Sequence, residues 1–177
     1  MFLRSLLKPG QARAAGERLY AATVEAARTP SLYAELGAPD TPDGRFEVYT
    51  LYVLLVLERL RQGGQKAAPV AQTYFDAYIS GLDHGLRELA VGDLAVGKTM
   101  RKLGEAFYGR GKALDTALAA LPDAGPFGAL LTRTVFADAG EVDPSALVAR
   151  ILDIRAALAD APVDGLLAGE LPWAAAA

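Results

Sequence analysis

The chain has 177 residues, of which 52% are hydrophobic and 22% charged, the profile of one ordinary globular domain with a core of its own. Its net charge of −3 gives no electrostatic case for DNA or other nucleic acid binding by the chain as a whole. It contains no cysteine and one histidine, His84, which excludes disulfides, thiol catalysis and cysteine metal sites and removes most zinc and haem arrangements, so no cofactor is expected.

Charge is unevenly spread. Residues 1–29 carry five Arg or Lys against two Glu, whereas residues 123–177 carry eight acids against three Arg. No apolar run approaches the roughly 18 residues that span a bilayer. The longest, residues 48–57, holds Tyr49, Thr50 and Tyr52. Without cysteine or a cleavable signal, the expected location is cytoplasmic, with peripheral contact to the inner membrane left open. The expected layout is an N-terminal segment over residues 1–10, one helical domain over 11–168 and a tail over 169–177.

The segment begins Met1-Phe2-Leu3-Arg4-Ser5-Leu6-Leu7-Lys8, too short and wrongly flanked for a secretory signal. It has the composition to lay four apolar side chains on a membrane surface, but docking on its own domain is the simpler reading. Residues 11–28 read as a helix with Leu19, Tyr20, Val24 and Ala27 on one side. Pro30 stops it, and Ser31 is the expected cap of a short turn over residues 32–36.

Thr41-Pro42-Asp43 is a helix start: threonine as cap, proline in the first position, and an acid at the positive end of the dipole. The helix that follows places Phe46, Tyr49, Val53, Val56, Leu57 and Leu60 on one stripe. Leu51, Leu54 and Leu55 cover the other side, so it should be largely buried. Gly63-Gly64 ends it.

Pro69 is the expected start of the next helix, whose stripe is Phe75, Tyr78, Ile79, Leu82, Leu86 and Leu89. Gly92 is the expected stop, and Asp93 the cap of a helix reaching about Leu121. That helix carries Val96, Met100, Leu103, Phe107, Leu114, Leu118 and Leu121 inward. Gly97, Gly104 and Gly111 recur at two-turn spacing on one face, where another backbone is expected to approach closely. A loop over residues 122–126 precedes three short helices: one over 127–137, one from Pro144 to about residue 159, and one starting at Pro162. No period-two alternation is present. The expected fold is all-α, a single domain of six to eight helices in an irregular bundle without a sheet.

Gly92-Asp93-Leu94-Ala95-Val96-Gly97-Lys98-Thr99 fits the phosphate-cradling pattern G-x-x-x-x-G-K-[ST], which would make Lys98 and Thr99 nucleotide ligands. A P-loop follows a buried strand, but Leu86-Arg87-Glu88-Leu89-Ala90-Val91 continues the helical stripe from Phe75 and places two charges where a buried strand would be apolar. The preferred reading is a junction between helices, with the nucleotide-binding protein as the alternative. His84 stands beside Asp83, with Ser80 and Glu88 one turn away on the same helix. One helix cannot supply a serine triad with its oxyanion donors, so a non-catalytic histidine is expected, and Asp83 with Arg87 reads as an i,i+4 pair.

Lys98, Arg101, Lys102, Arg110 and Lys112 make a basic stripe opposed within it only by Glu105. Such a stripe suits an acidic partner, a lipid surface or RNA, and is equally compatible with a plain solvated face. Phe107 is expected in the core, with Tyr108 and Arg110 facing out, both residue types enriched in interfaces.

Three blocks stand in order: Leu32-Tyr33-Ala34-Glu35-Leu36-Gly37-Ala38-Pro39-Asp40-Thr41-Pro42-Asp43-Gly44-Arg45-Phe46; then Leu86-Arg87-Glu88 with Val91-Gly92-Asp93-Leu94-Ala95-Val96-Gly97-Lys98; then Phe107-Tyr108-Gly109-Arg110. Together they resemble the ubiquinol–cytochrome c chaperone family. The resemblance spans residues 17–121. It implies a helical, non-catalytic assembly factor that acts beside newly made cytochrome b as this matures into ubiquinol–cytochrome c reductase. It also implies association with ribosomes and with a small partner protein. The chain lacks the Arg- and Ser-rich extension of mitochondrial members, as expected of a bacterial relative. It departs from the family where Tyr52 replaces a frequent histidine, Ala90 a glycine and Thr99 a basic residue. The last change completes the P-loop pattern. The expected partner surface comprises Asp40, Asp43, Arg45, Asp93, Lys98, Arg101, Lys102, Tyr108 and Arg110. A membrane-surface helical adaptor is the further alternative.

Overall fold

The computed structural model describes residues 8–88 and 93–173. Among them are eight helices and no strand: α1 (Pro9–Ala27), α2 (Pro30–Ala34), α3 (Pro42–Gln62), α4 (Gly64–Glu88), α5 (Asp93–Ala119), α6 (Gly125–Arg133), α7 (Ser145–Asp160) and α8 (Val163–Leu167). The all-α expectation holds. Expectations placed on residues 1–7, on the stop at Gly92 and on residues 174–177 lie outside the described residues.

α3 is the axis of the bundle. Val48, Val53, Leu55 and Val56 are completely buried, and Thr50, Leu51, Tyr52, Leu54 and Leu60 nearly so, because α1, α4 and α7 all pack on this helix. Its start is the one the sequence marks: the Thr41 hydroxyl accepts from the Gly44 amide at 3.1 Å, with Pro42 and Asp43 in the first turn. At its other end Arg59 donates to the carbonyls of Leu158 and Ala161, both at 2.7 Å, satisfying acceptors at the end of α7. Glu58 takes a bidentate pair from Arg155 at 2.8 and 3.1 Å. These bonds fix α7 against α3.

α1 lies along α4, and the crossing is close because Gly16 has no side chain. A Cβ there would stand 2.7 Å from Thr73 Cβ and 2.8 Å from the Tyr74 amide nitrogen. Tyr74 is wholly buried under α1, its hydroxyl donating to Thr23 Oγ1 at 3.0 Å, and Thr23 donates on to the Leu19 carbonyl at 2.8 Å. Burial pushes the Tyr74 hydroxyl far above its ordinary pKa.

Several boundaries differ from the sequence reading. Thr29, not Ser31, occupies the N-cap of α2, and Pro30 opens the helix. α4 begins at Gly64, whose φ of +58° turns the chain, and Pro69 sits inside the helix. As the sixth residue of α4 it lies past the first turn, so the Gln65 carbonyl has no amide at position 69 to receive a hydrogen bond from. α6 runs from Gly125 to Arg133 and gives way to turns, where the pattern suggested helix to residue 137. The glycine face of α5 is mostly open. Among the described residues a Cβ on Gly97 or Gly104 would meet nothing within 4 Å, whereas Gly111 has a close neighbour, Leu54 Cδ2 at 3.4 Å. Leu171 is buried and the Trp173 ring packs edge-on against Tyr52 at 6.0 Å.

Candidate partner-binding site

The turn before α3 is a compact unit. A Cβ on Gly44 would stand 2.3 Å from the Pro39 carbonyl oxygen, so only glycine lets the chain fold back this tightly. That fold brings the Arg45 guanidinium onto Asp40 as an ion pair and over the Tyr33 ring, 4.8 Å from its centroid. The Asp40 hydrogen bond holds the guanidinium still further above its ordinary pKa. Asp43, in the first turn of α3, is exposed.

One turn into α3, Glu47 receives both Arg110 Nε, at 2.7 Å to Oε2, and Arg110 Nη2 on Oε1. The Arg110 guanidinium also lies 5.9 Å from the Phe46 ring centroid. Both side chains are mostly withdrawn from solvent, with 26% of Arg110 and 12% of Glu47 exposed. Arg110 therefore does not face out. It clamps α5 to α3, and its hydrogen bond with Glu47 raises its pKa. Arg110 thus ties the third sequence block to Phe46, the last residue of the first block, and to Glu47, which follows it. Neither periodicity nor a short-range rule connects residues 63 apart, so Glu47 had no signal in the sequence.

Tyr108 does face out, at 74% exposure, while Phe107 beside it is buried against Tyr78 and Phe75 with ring centroids at 5.0 and 5.5 Å. Next to Tyr108 lies a groove of about 400 Å³ floored by Leu54, Leu57, Phe75 and Phe107, with Lys112 and the Arg61–Asp115 pair, N to O 3.0 Å, at its rim. Lys98, Arg101 and Lys102 are exposed along α5 toward its start, and Arg101 pairs with Glu105 at 3.1 Å. Asp93 opens α5, and its side chain lies outside the described residues. The expected surface thus separates into the Asp40–Arg45 turn, the α5 row with Tyr108, and Arg110, which belongs to the interior support between them.

A second groove of about 610 Å³ lies between α1, α2, α3 and the far part of α4, lined among others by Tyr20, Arg28, Tyr33, Arg45, Phe46 and Tyr49. The Tyr49 hydroxyl donates to the Tyr20 hydroxyl at 2.9 Å, and burial followed by this bond pushes Tyr49 far above its ordinary pKa. The sequence placed Tyr20 on the apolar side of its helix and gave Arg28 no role, because neither breaks a local pattern.

The chemical alternatives lose their geometry. α4 runs to Glu88 where a P-loop needs a strand, and α5 begins at Asp93, so residues 93–97, which should form the loop around the phosphates, are helical. The P-loop reading is corrected accordingly. His84 is an exposed residue on α4, Nε2 3.2 Å from Glu88, and Arg87 pairs with Asp83 at 2.8 Å. Among the described residues no group of acids and histidine is arranged to hold a metal ion, and no helix is long and apolar enough to cross a membrane.

Comparison with known proteins agrees with the resemblance. The family described as Ubiquinol-cytochrome C chaperone matches residues 34–173. The fold matches the crystal structure of the Cbp3 homolog from Brucella abortus with a TM-score of 0.81 and 38% identity, covering 92% of this chain and 90% of that one. No curated protein matches the sequence. With the family pattern covering most of the chain and the same helical fold in that homolog, this chain belongs to the ubiquinol–cytochrome c chaperone family.

Proposed function

We propose that this protein is a non-catalytic chaperone in the assembly of ubiquinol–cytochrome c reductase, and that its client is newly made cytochrome b. Family membership supports the chaperone role. The observation that carries the placement of the client is Tyr108. This large aromatic side chain is 74% exposed, yet it stands beside an apolar groove and two residues from the Arg110–Glu47 clamp that stiffens its helix. Rigidly presented aromatics next to an apolar pocket are the usual anchors of protein interfaces. Lys98, Arg101 and Lys102 continue the same helix and supply cations, and the Asp40, Asp43 and Arg45 turn supplies polar contacts at the start of α3.

A ribosome, a small partner protein and the inner-membrane surface are further contacts in this reading. The exposed cations of α5 are the groups that would meet anionic surfaces there. No catalytic step is assigned. A photo-crosslinking amino acid installed in place of Tyr108 tests the client directly. Illumination of cells should give an adduct containing cytochrome b, and adducts that never contain it would reject this surface.

A further inference from the structure

The larger groove is built from rings but is short of acceptors. Its walls are Tyr20, Tyr33, Phe46 and Tyr49, with Val24 and Leu82 between them, and its volume of about 610 Å³ falls within the ~300–1,000 Å³ of ordinary ligand clefts. The Tyr20 hydroxyl accepts from Tyr49 at 2.9 Å, but nothing among the described residues accepts the proton of Tyr20. This hydroxyl is set into the wall by Gly81, where a Cβ would stand 1.9 Å from the oxygen. Arg28, just past the end of α1, is exposed and has no carboxylate or carbonyl partner. Arg45 uses Nε on Asp40 and its flat face on Tyr33, so its two terminal nitrogens are unmatched. The Tyr33 hydroxyl is already committed, donating to the Ala27 carbonyl at 2.6 Å.

We propose that this groove binds a short acidic peptide segment, with an aromatic or aliphatic side chain on the tyrosine wall and a carboxylate on Arg28 and Arg45. The proposal rests on the chaperone reading and gives the client a chemical signature. Unmatched donors favour an occupant rich in acceptors, and two guanidinium groups lining one groove favour a carboxylate. The Tyr20 proton selects among anionic occupants. A peptide carbonyl can accept it while the neighbouring side chain covers the rings. An acyl chain would cover the rings but bury that donor unmatched, which is costly. A free anion would leave the rings uncovered.

The test is titration of the 15N-labelled protein with a short capped peptide of sequence Gly-Ser-Phe-Glu-Leu-Glu-Ser-Gly, and with its analogue carrying Gln at both Glu positions. Amide shifts should cluster at Val24, Arg28, Tyr33, Arg45 and Gly81, and the Gln analogue should bind about tenfold more weakly. Arg28→Gln removes an exposed cation without a structural partner, so the fold should persist, checked by an unchanged spectrum elsewhere. It should weaken the acidic peptide about tenfold, whereas Arg13→Gln, an equal charge change on the far part of α1, should not. Shifts located elsewhere, equal affinity for the Gln analogue, or an indifferent Arg28→Gln would overturn the proposal. So would short-chain phosphatidylglycerol shifting these amides where the peptide does not. If the acidic peptide fails to bind but loss of the protein still lowers haem-loaded cytochrome b, the groove proposal falls and the chaperone reading stands. If the peptide binds and cytochrome b is unaffected, the reverse holds.

Discussion

Arg110 of α5 and Glu47 of α3 form a two-pronged ion pair across 63 residues of sequence, with the Phe46 ring beside the guanidinium. Because both side chains are largely withdrawn from water, the loss of either leaves the other charge poorly solvated. Glu47→Gln or Arg110→Ala should each cost about 2–4 kcal/mol of stability, less than a fully buried pair but more than a surface one. Urea unfolding of both single variants and of the double variant measures this. The double variant should lose less than the sum of the two.

The glycines of α1 and α5 give a contrast in sign. Gly16→Ala drives a methyl group into Thr73 and the Tyr74 backbone, and should cost about 1–3 kcal/mol. Gly104→Ala meets nothing within 4 Å and lies in the interior of α5, so it should stabilise by roughly 0.5–1 kcal/mol. Thermal or urea unfolding of the two proteins side by side checks both signs.

Those glycines also show where sequence reading stops. Equal spacing places Gly97, Gly104 and Gly111 on one face of α5, but spacing cannot say how far a neighbour extends along that face. Leu54 of α3 reaches Gly111, and none of the described residues reaches the other two. The start of α3 was legible because Thr41, Pro42 and Asp43 each act through local backbone chemistry. Pro69 misled for the same local reason: proline favours a helix start, but a turn at Gly64 upstream had already begun the helix. The grooves were invisible because each is assembled from three or more helices.

Tyr49, Tyr52, Tyr74 and Tyr78 all have hydroxyl pKa values raised by burial, Tyr52 to about 12. The folded state keeps their protons while the unfolded state releases them near pH 10, so stability from this source is intact below pH 10 and falls above it. Each such tyrosine contributes up to ~1.4 kcal/mol per pH unit between its unfolded and folded values. The urea midpoint should therefore fall steeply from pH 10 to 11, and tyrosinate absorbance should jump with unfolding rather than rise smoothly. Tyr74→Phe should reduce the alkaline slope while costing about 1 kcal/mol at neutral pH through the lost bond to Thr23.

Tyr108→Ala should leave stability nearly unchanged, since the side chain is 74% exposed. In the proposed role it should nonetheless reduce recovery of cytochrome b with the tagged protein severalfold. Co-purification from membranes, quantified against the parent protein, reads this, and an unchanged yield would remove Tyr108 from the client surface.

The central claim is that the protein helps cytochrome b mature. Reduced-minus-oxidised spectra of membranes from cells lacking the gene test it most directly. The account predicts a severalfold loss of the cytochrome b haem signal belonging to ubiquinol–cytochrome c reductase, restored by the intact chain. A normal amount of haem-loaded cytochrome b in those membranes would contradict it.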